Sequence, residues 1–293
     1  MAQNIIFIIT EGDHDCAFIY RILKANGMST YHNIPIKNYP SPLNELFKSG
    51  VGSTPIEDLG IENTKSPFLP NRVMKKDDAI VAIYAMTGDG QKEKRKNLIK
   101  KLDDFRIADP DAIQAIDNET KLTILFFFDA DDKGTDFRIK QINDEINEIF
   151  AYIEEKEEIS NNNIILIDDI RIGAFIFTEL KKDTGKLEDI LIPLMQYGND
   201  DIFNAACQFL DLHESCALFK GKVKYDSTDT KIKKKINGQK YDFKKSLIGT
   251  VGQLQKSGKS NTVCITDADY LDDGKIKSNH TCNDIWNFIG KVL

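Results

Sequence analysis

Two continuous apolar runs, each ending in a cluster of acidic residues, constrain this chain more than any other feature. The first run covers residues 4–10 (NIIFIIT) and leads into EGDHD; the second covers residues 122–128 (LTILFFF) and leads into DADDKG. An uninterrupted apolar run of this length is typical of a central parallel strand that is buried on both faces. Open α/β sheets bind ligands at the carboxyl ends of such strands, so both clusters are predicted to lie at a binding edge.

The spacing within each cluster allows its carboxylates to converge. Glu11 and Asp15 are four residues apart and face one point if a helix begins between them. Asp129 and Asp131 alternate along the end of a strand, which places them on the same side. Two like charges about 4 Å apart cost roughly 4 kcal/mol at an effective dielectric constant of about 20, so such a cleft needs a cation. Oxygen ligands alone favour Mg²⁺ or Mn²⁺ over zinc.

The remaining pattern predicts the α/β class, with a parallel sheet flanked by helices. Apolar runs alternate with helical patterns through the first part of the chain, which implies right-handed crossovers. Residues 38–76 are rich in Pro, Gly, Ser and Asn and are predicted to be an insertion. The other predicted strands are residues 33–37, 79–86 and 164–167. A turn is predicted at residues 88–90. The predicted helices are residues 13–25, 91–105 and 135–158.

The chain changes character after residue 170. We predict a core domain over residues 1–170 and a C-terminal α+β elaboration over residues 171–293, which completes the site and contacts the substrate. Within the elaboration, the predicted strands are residues 173–178 and 262–266, the predicted hairpin turn is Asn237-Gly238, and the predicted helices are residues 187–196, 200–212, 244–255 and 283–292.

The net charge of −7 is distributed unevenly. Residues 92–101 carry a net charge of +5 and residues 220–245 carry +7, which leaves −19 on the rest of the chain. Two basic segments on an acidic molecule can meet phosphates locally. A solvated helix face and a lysine-rich hairpin are the plainer interpretation, and the sequence leaves both open.

Cysteine usage and hydropathy predict a cytoplasmic protein with no membrane partner. The five cysteines form neither a Cys-x-x-Cys pair nor a Cys/His cluster with zinc spacing, which is typical of reduced thiols. No stretch approaches the roughly 20 apolar residues that a transmembrane helix needs. The first residues lack the basic and hydrophobic regions of a signal peptide.

The order of the two acidic motifs resembles that of the Toprim domain. Glu-Gly-x-x-Asp follows the first strand, and Asp-x-Asp-x-x-Gly, ending at Gly134, follows a later one; the resemblance covers residues 4–170. Topoisomerases, bacterial primases, a ribosomal-RNA maturase and the OLD-family nucleases share this domain. The resemblance implies a Rossmann-like Toprim sheet. It also implies that Glu11 is a metal ligand or general acid/base and that Asp129 and Asp131 hold Mg²⁺.

A later segment is similar to small, stand-alone OLD-like Toprim nucleases. TGKLEDILIPL contains a Gly-x-Leu-Glu element, which implies that Glu188 is a further metal ligand. A catalytic lysine is also implied, for which Lys244 and Lys259 are candidates beside Lys245 and Lys256. No phosphate-binding Gly-x-x-x-x-Gly-Lys-Ser/Thr loop occurs, so an ATPase would be a separate partner chain. Such proteins are associated with bacterial defence, and a homodimer stays open.

The predicted activity is therefore Mg²⁺-dependent (or Mn²⁺-dependent) cleavage of DNA or RNA. The predicted catalytic residues are Glu11, Asp15, Asp129, Asp131, Lys244 and Lys259, and the predicted metal ligands are Glu11, Asp15, Asp129, Asp131 and Glu188. Asp168 and Asp169, after another short strand, are additional candidate ligands, whereas His14 is interpreted as a solvated residue at a helix start.

Two other classes of function stay open. The haloacid dehalogenase type of phosphohydrolase also places Asp-x-Asp on a strand, although on the first strand and with Thr or Val where this chain has Lys133. Activity on a generic phosphomonoester, without activity on nucleic acid, would indicate that class. A non-catalytic Toprim module that binds metal or a partner is the other alternative, and nucleic-acid binding without turnover would indicate it.

Overall fold

The structure is a computed structural model that describes residues 3–52, 68–86, 91–106, 120–213, 224–225, 231–232 and 242–293. The chain forms two units, Met1–Ile190 with Asp273–Leu293 and Leu191–Asp272. The predicted boundary at residue 170 does not coincide with this division. The strand that begins at Ile170 pairs within the sheet of the first unit, and the last residues of the chain belong to that unit as well.

A seven-stranded mixed sheet forms the centre of the first unit. In chain order its strands are β1 (Asn4–Thr10), β2 (Ser29–Thr30), β3 (Arg72–Lys76), β4 (Ala79–Ala85), β5 (Lys121–Asp129), β6 (Asn163–Ile167) and β7 (Ile170–Phe177). Their order across the sheet is β2-β3-β4-β1-β5-β7-β6. The four central strands β4, β1, β5 and β7 are parallel, and the outer strands pair antiparallel. The predicted α/β class is confirmed, with a mixed sheet in place of a purely parallel one.

Helices follow most of these strands. In chain order they are α1 (Asp13–Ala25), α2 (Leu43–Gly52), α3 (Lys92–Arg106), α4 (Thr135–Ile149), α5 (Leu187–Gln196), α6 (Asp200–His213), α7 (Phe243–Gln255), α8 (Asn261–Asp267), α9 (Asp273–Ser278) and α10 (His280–Gly290). In the second unit, α6 and α8 both contact α7, and a two-residue ladder joins β8 (Lys224–Tyr225) to β9 (Lys231–Ile232).

The three consecutive phenylalanines of β5 explain why its apolar run is unbroken. Side chains alternate between the two faces of a strand, and here both faces are covered. Phe126 and Phe128 lie on one face with their ring centroids 5.6 Å apart, in the buried cluster that also contains residues of α3 and α4. Phe127 lies on the other face, 5.8 Å from Phe288 of α10. β5 ends at Asp129, directly after the last of these buried phenylalanines.

Residues predicted to form a strand and an insertion have a different structure. Residues 33–37 are not a strand, because Pro35 removes a backbone donor, and a short 3₁₀ helix covers Ile36–Asn38. The predicted insertion contains α2, and β3 from its end belongs to the sheet. A two-residue turn, with Asp77 at a φ of 50°, returns β3 antiparallel onto β4.

Two further predictions were wrong. The helix predicted to run to residue 158 ends at Ile149, and the Lys156 ammonium donates to the carbonyls of Phe150 and Ile153 beyond that end. The strand predicted over residues 262–266 is helix α8, because a short apolar run is compatible with either structure. Gly252 of α7 permits this packing: a Cβ there would lie 2.5 Å from Cys264 Sγ.

Some predictions lie outside the described residues. They are the turn at 88–90, the hairpin turn at Asn237-Gly238 and most of the basic segment 220–245.

Candidate functional site

The two acidic clusters predicted from sequence meet at the carboxyl edge of the sheet. β1 and β5 are neighbouring parallel strands, with Thr10 aligned to Phe127, so both strands end at the same edge. Glu11 Oε2 accepts a hydrogen bond from the Asp129 backbone N–H at 3.3 Å. Side chains from remote parts of the chain therefore share one site, as the spacing of the motifs predicted.

Asp15 has a buried oxygen atom that is not hydrogen-bonded. The side chain lies in the first turn of α1, is 6% exposed, and accepts a hydrogen bond from Gly12 N–H to Oδ2 at 2.8 Å. Its Oδ1 has no hydrogen-bond partner within the described part of the chain. Burial raises the pKa of Asp15 well above its usual range, and the negative charges of Asp129 and Glu11 raise it further. A buried carboxylate in this state is suited to a cation.

Asp129 is the centre of the site. Its Oδ1 accepts a hydrogen bond from Leu187 N–H at 2.8 Å, which connects the end of β5 to the start of α5. Burial and then the charge of Glu11 raise the pKa of Asp129 to about 7, although the Leu187 hydrogen bond opposes this shift. Glu188 and Asp131 contribute smaller increases to the pKa. Several negative charges therefore act on this carboxyl group at once.

Glu188 and His14 form a pair beside these carboxylates. Glu188 lies in the first turn of α5 and is 3% exposed, and its Oε1 is 3.3 Å from His14 Nδ1. His14 was interpreted as a solvated residue, but it contacts a predicted metal ligand.

The loop before α5 requires glycine at position 185. Gly185 has a φ of 133°, and a Cβ there would lie 2.3 Å from the backbone nitrogen of Glu179. Gly185 and Asp131 exchange two backbone hydrogen bonds, of 2.8 and 3.0 Å. The glycine of the Gly-x-Leu-Glu element therefore brings Glu188 to the site by joining the loop to the Asp-x-Asp segment.

Sequence reasoning missed Arg138, which lies on α4 and is 7% exposed. Its Nη2 is 2.8 Å from Asp131 Oδ2 and 3.8 Å from Glu11 Oε2, and its Nε donates to the Asp129 carbonyl at 2.9 Å. A signal was present, because Arg138 falls on the buried stripe of α4 four residues before Ile142. A charged residue on such a stripe indicates a buried partner.

The carboxyl-edge cluster, defined as Glu11, Asp15, Asp129, Asp131 and Glu188, carries more negative than positive charge. Arg138 and Lys186, whose Nζ is 3.3 Å from Asp131 Oδ1, are basic residues in contact with it. Among the described residues, no group of three or more His, Cys, Asp or Glu side chains is already arranged to hold a metal ion. The Asp15 oxygen that lacks a hydrogen-bond partner among the described residues is the one feature of the cluster that a divalent cation would satisfy, and the side chains as they stand do not form a metal site.

The comparisons with known proteins identify a family but no activity. A family model described as "Protein of unknown function (DUF3226)" matches residues 6–289. The chain belongs to this family. No curated protein matches the sequence. A solved structure, the hypothetical protein PH0156 from Pyrococcus horikoshii OT3, has 15% sequence identity to this chain and a TM-score of 0.49. The match covers 99% of this chain and 95% of that protein's chain. That likeness is too weak to support any inference.

The predicted lysines of this DUF3226 chain lie in the second unit. Lys244 is in the first turn of α7, and Lys259 lies between α7 and α8, where its carbonyl accepts a hydrogen bond from Gln253 Nε2 at 3.0 Å. Their catalytic role stays a prediction.

Asp168 and Asp169 are turn residues rather than site residues. Both have positive φ angles, of 45° and 69°, in the two-residue connection between β6 and β7. Because β7 begins there and runs parallel to β5, this turn lies at the opposite edge of the sheet from the cluster.

Half of the cations in the basic segment 92–101 are paired with α4. Lys92 Nζ is 2.6 Å from Glu148 Oε1, and Lys96 Nζ is 3.0 Å from Glu148 Oε2. Arg95 forms a buried bidentate pair with Glu145, at 2.9 and 3.1 Å. These three cations support the packing of α3 on α4, which leaves Lys94, Lys100 and Lys101 as the other cations of the segment.

The described helices include none that combines the length and the apolar character needed to cross a membrane.

Proposed function

We propose that this chain is a divalent-metal-dependent phosphodiesterase that cleaves DNA or RNA at the carboxyl-edge cluster. The observation that carries the proposal is the meeting of Glu11 with Asp129 at the ends of two adjacent parallel strands, beside the unpaired oxygen of Asp15. Clefts of this kind, with several carboxylates and no zinc-type ligands, suit Mg²⁺ or Mn²⁺. The resemblance to Toprim nucleases points to the same chemistry.

The residues of the cluster would have different roles in metal binding and in proton transfer. Asp15, Asp129 and Glu188, with Glu11 and Asp131 beside them, are the candidates to hold the ion. Bound Mg²⁺ would supply positive charge to the scissile phosphate and to the attacking water.

Glu11 is the candidate general acid/base. Its carboxylate accepts a hydrogen bond from Asp129 N–H at 3.3 Å, and its side chain is about a quarter exposed, so water can reach it. It can therefore accept a proton from the attacking water.

A nicking assay tests this function. Purified protein is incubated with supercoiled plasmid and with single-stranded DNA and RNA, in Mg²⁺, in Mn²⁺ and in EDTA. We expect cleavage that requires the metal and falls at least about a hundredfold in Asp129→Asn and Glu11→Gln. Asp168→Asn, at the opposite edge of the sheet, is the matched control and should cleave like the wild type. Equal cleavage by all four proteins would exclude the proposed site.

A small phosphate ester is the second candidate substrate. The pairing of Lys92, Arg95 and Lys96 with α4 reduces the basic surface that α3 could offer to a nucleic-acid backbone. Hydrolysis of p-nitrophenyl phosphate without any nicking would favour this alternative, whereas nicking without phosphomonoesterase activity would favour the first. A partner ATPase chain and a homodimer stay predictions.

A further inference from the structure

Three cations lie along strand β3, on the face of the sheet that α1 and α10 cover. Arg72 and Lys76 are four residues apart on β3, so their side chains point to the same face. The Arg72 guanidinium lies 5.6 Å from the centre of the Tyr20 ring on α1, and the Lys24 ammonium lies 6.0 Å from the same ring centre. Lys76 Nζ lies 5.2 Å from the centre of the Trp286 ring on α10. We call Arg72, Lys24 and Lys76 the β3 cation row.

The cation row keeps its positive charge, because aromatic rings rather than carboxylates hold it. A ring face attracts a cation through its quadrupole and does not cancel the charge. Within the described part of the chain, no Asp or Glu side chain forms an ion pair with any of the three cations. Arg72 Nη1 and Lys76 Nζ donate instead to the backbone carbonyls of Asn71 and Asn26, both at 3.2 Å. By contrast, half of the cations in residues 92–101 are paired with carboxylates of α4.

One end of the cation row lies beside the carboxyl-edge cluster. Arg72 is aligned with Ile83 near the end of β4, and β4 ends at the same edge as β1. The side chain of Asn71 donates to Asp13 Oδ1 at 3.1 Å, in the first turn of α1. Asp15 of the cluster lies in that same turn. A strand bound at the cluster can therefore continue onto Arg72.

The other end of the row lies at the opposite edge of the sheet. Four residue steps of about 3.3 Å separate the two ends of β3, which gives the row a length of about 13 Å. Lys76 and Trp286 line a cavity of about 620 Å³ at this end, which places an indole ring beside the last cation. Proteins that bind single-stranded nucleic acid combine cations for the backbone with aromatic rings for the bases.

We infer that the β3 cation row is the surface along which a nucleic-acid strand extends from the carboxyl-edge cluster. Separated cations that keep their charge fit backbone phosphates, and such contacts carry no base specificity. The inference rests on the proposed function and specifies where its substrate binds. The row lies outside the two basic segments that stand out in the sequence, residues 92–101 and 220–245.

Binding of a labelled single-stranded oligonucleotide in EDTA, which prevents metal-dependent cleavage, tests the inference. Fluorescence anisotropy compares the wild type with Arg72→Gln, Lys24→Gln and Lys76→Gln. Each substitution should weaken binding about fivefold at about 0.1 M salt and lower the slope of log affinity against log salt by about 0.7, because one phosphate contact is lost. Lys75→Gln is the matched control, since Lys75 lies on the same strand but faces Tyr31, 5.2 Å from its ring centre. It should bind like the wild type.

A second pair of variants separates charge from packing. Lys24 is exposed, so Lys24→Glu should fold normally and should weaken binding more than Lys24→Gln does. Arg72→Lys keeps the charge and should retain the wild-type affinity within about twofold.

The nicking assay distinguishes failure of the inference from failure of the proposed function. Variants of the cation row should raise KM and leave kcat within about twofold, because they lose binding that the ground state and the transition state share. Wild-type affinity in all three Gln variants, or an equal loss in Lys75→Gln, would overturn the inference, and metal-dependent nicking would then leave the proposed function standing. A wild type that neither binds nor nicks nucleic acid would overturn both.

Discussion

The raised pKa of Asp129 has a direct consequence for stability. In the folded chain this pKa is about 7 against an ordinary value of 3.8, so the folded state holds a proton that the unfolded state releases. The free energy of unfolding of the metal-free protein should therefore fall as pH rises from about 4 to about 7, by up to about 1.4 kcal/mol per pH unit from this group. Asp15, whose pKa is also raised, adds to the fall.

Urea unfolding in EDTA across this pH range measures the effect. Asp129→Asn should make the loss of stability with rising pH shallower than in the wild type, because the amide does not titrate. Gly198→Ala, which changes no titratable group, should leave the wild-type slope unchanged. An identical slope in Asp129→Asn and the wild type would mean that Asp129 titrates normally.

The stability of the protein should also depend on glycine at position 185. Gly185→Ala should destabilise the protein by about 3 kcal/mol, because it combines a positive φ with a clash against the Glu179 backbone. Gly198→Ala is the control, since Gly198 has a φ of 74° but nothing within 4 Å of the added Cβ, and should cost only about 1 kcal/mol. Urea unfolding compares the two. A Gly185→Ala cost no greater than that of Gly198→Ala would show that the loop relaxes around the new side chain.

The packing of α3 on α4 should depend on the buried ion pair between Arg95 and Glu145. Arg95→Met should cost about 3 kcal/mol, because it leaves the carboxyl group of Glu145 buried without its partner. Replacing both residues, Arg95→Met with Glu145→Leu, should recover most of that loss. Lys92→Ala, which breaks an exposed pair with Glu148, should cost less than about 1 kcal/mol. A double variant as unstable as Arg95→Met, measured by urea unfolding, would contradict this account.

Strands that consist of a long apolar run could be predicted from the sequence. Elements whose structure depends on contacts with distant parts of the chain could not. The unbroken apolar runs of β1, β4 and β5 predicted strands because burial on both faces leaves no polar position. β3 (RVMKK) lacks both alternation and a long apolar run, and its pairing with β4 decides its structure. The run inside α8 suits either class, and its packing against Gly252 of α7 decides it. Sequence reasoning looked for acids at the site, which is why Glu11 and Asp129 were found and Arg138 was missed.

For the whole molecule, metal binding should be linked to folding. An ion that binds only the folded chain stabilises it by about 2.7 kcal/mol at a hundred times its dissociation constant. Mg²⁺ or Mn²⁺ should therefore raise the thermal midpoint of the wild type, and EDTA should reverse the increase. The midpoint of Asp129→Asn should respond far less to the metal. A midpoint in the wild type that does not change with metal would argue against an ion at the cluster.

The path of the chain also decides when the protein can finish folding. The first unit is built from both ends of the polypeptide, and Phe288 of α10 packs on Phe127 and Phe175 of the central strands. During synthesis, the part of the sheet that Phe288 covers therefore stays uncovered until residues 273–293 leave the ribosome. A nascent chain that stops at Asp272 would leave the faces of Phe127 and Phe175 that Phe288 covers open to water and to chaperones.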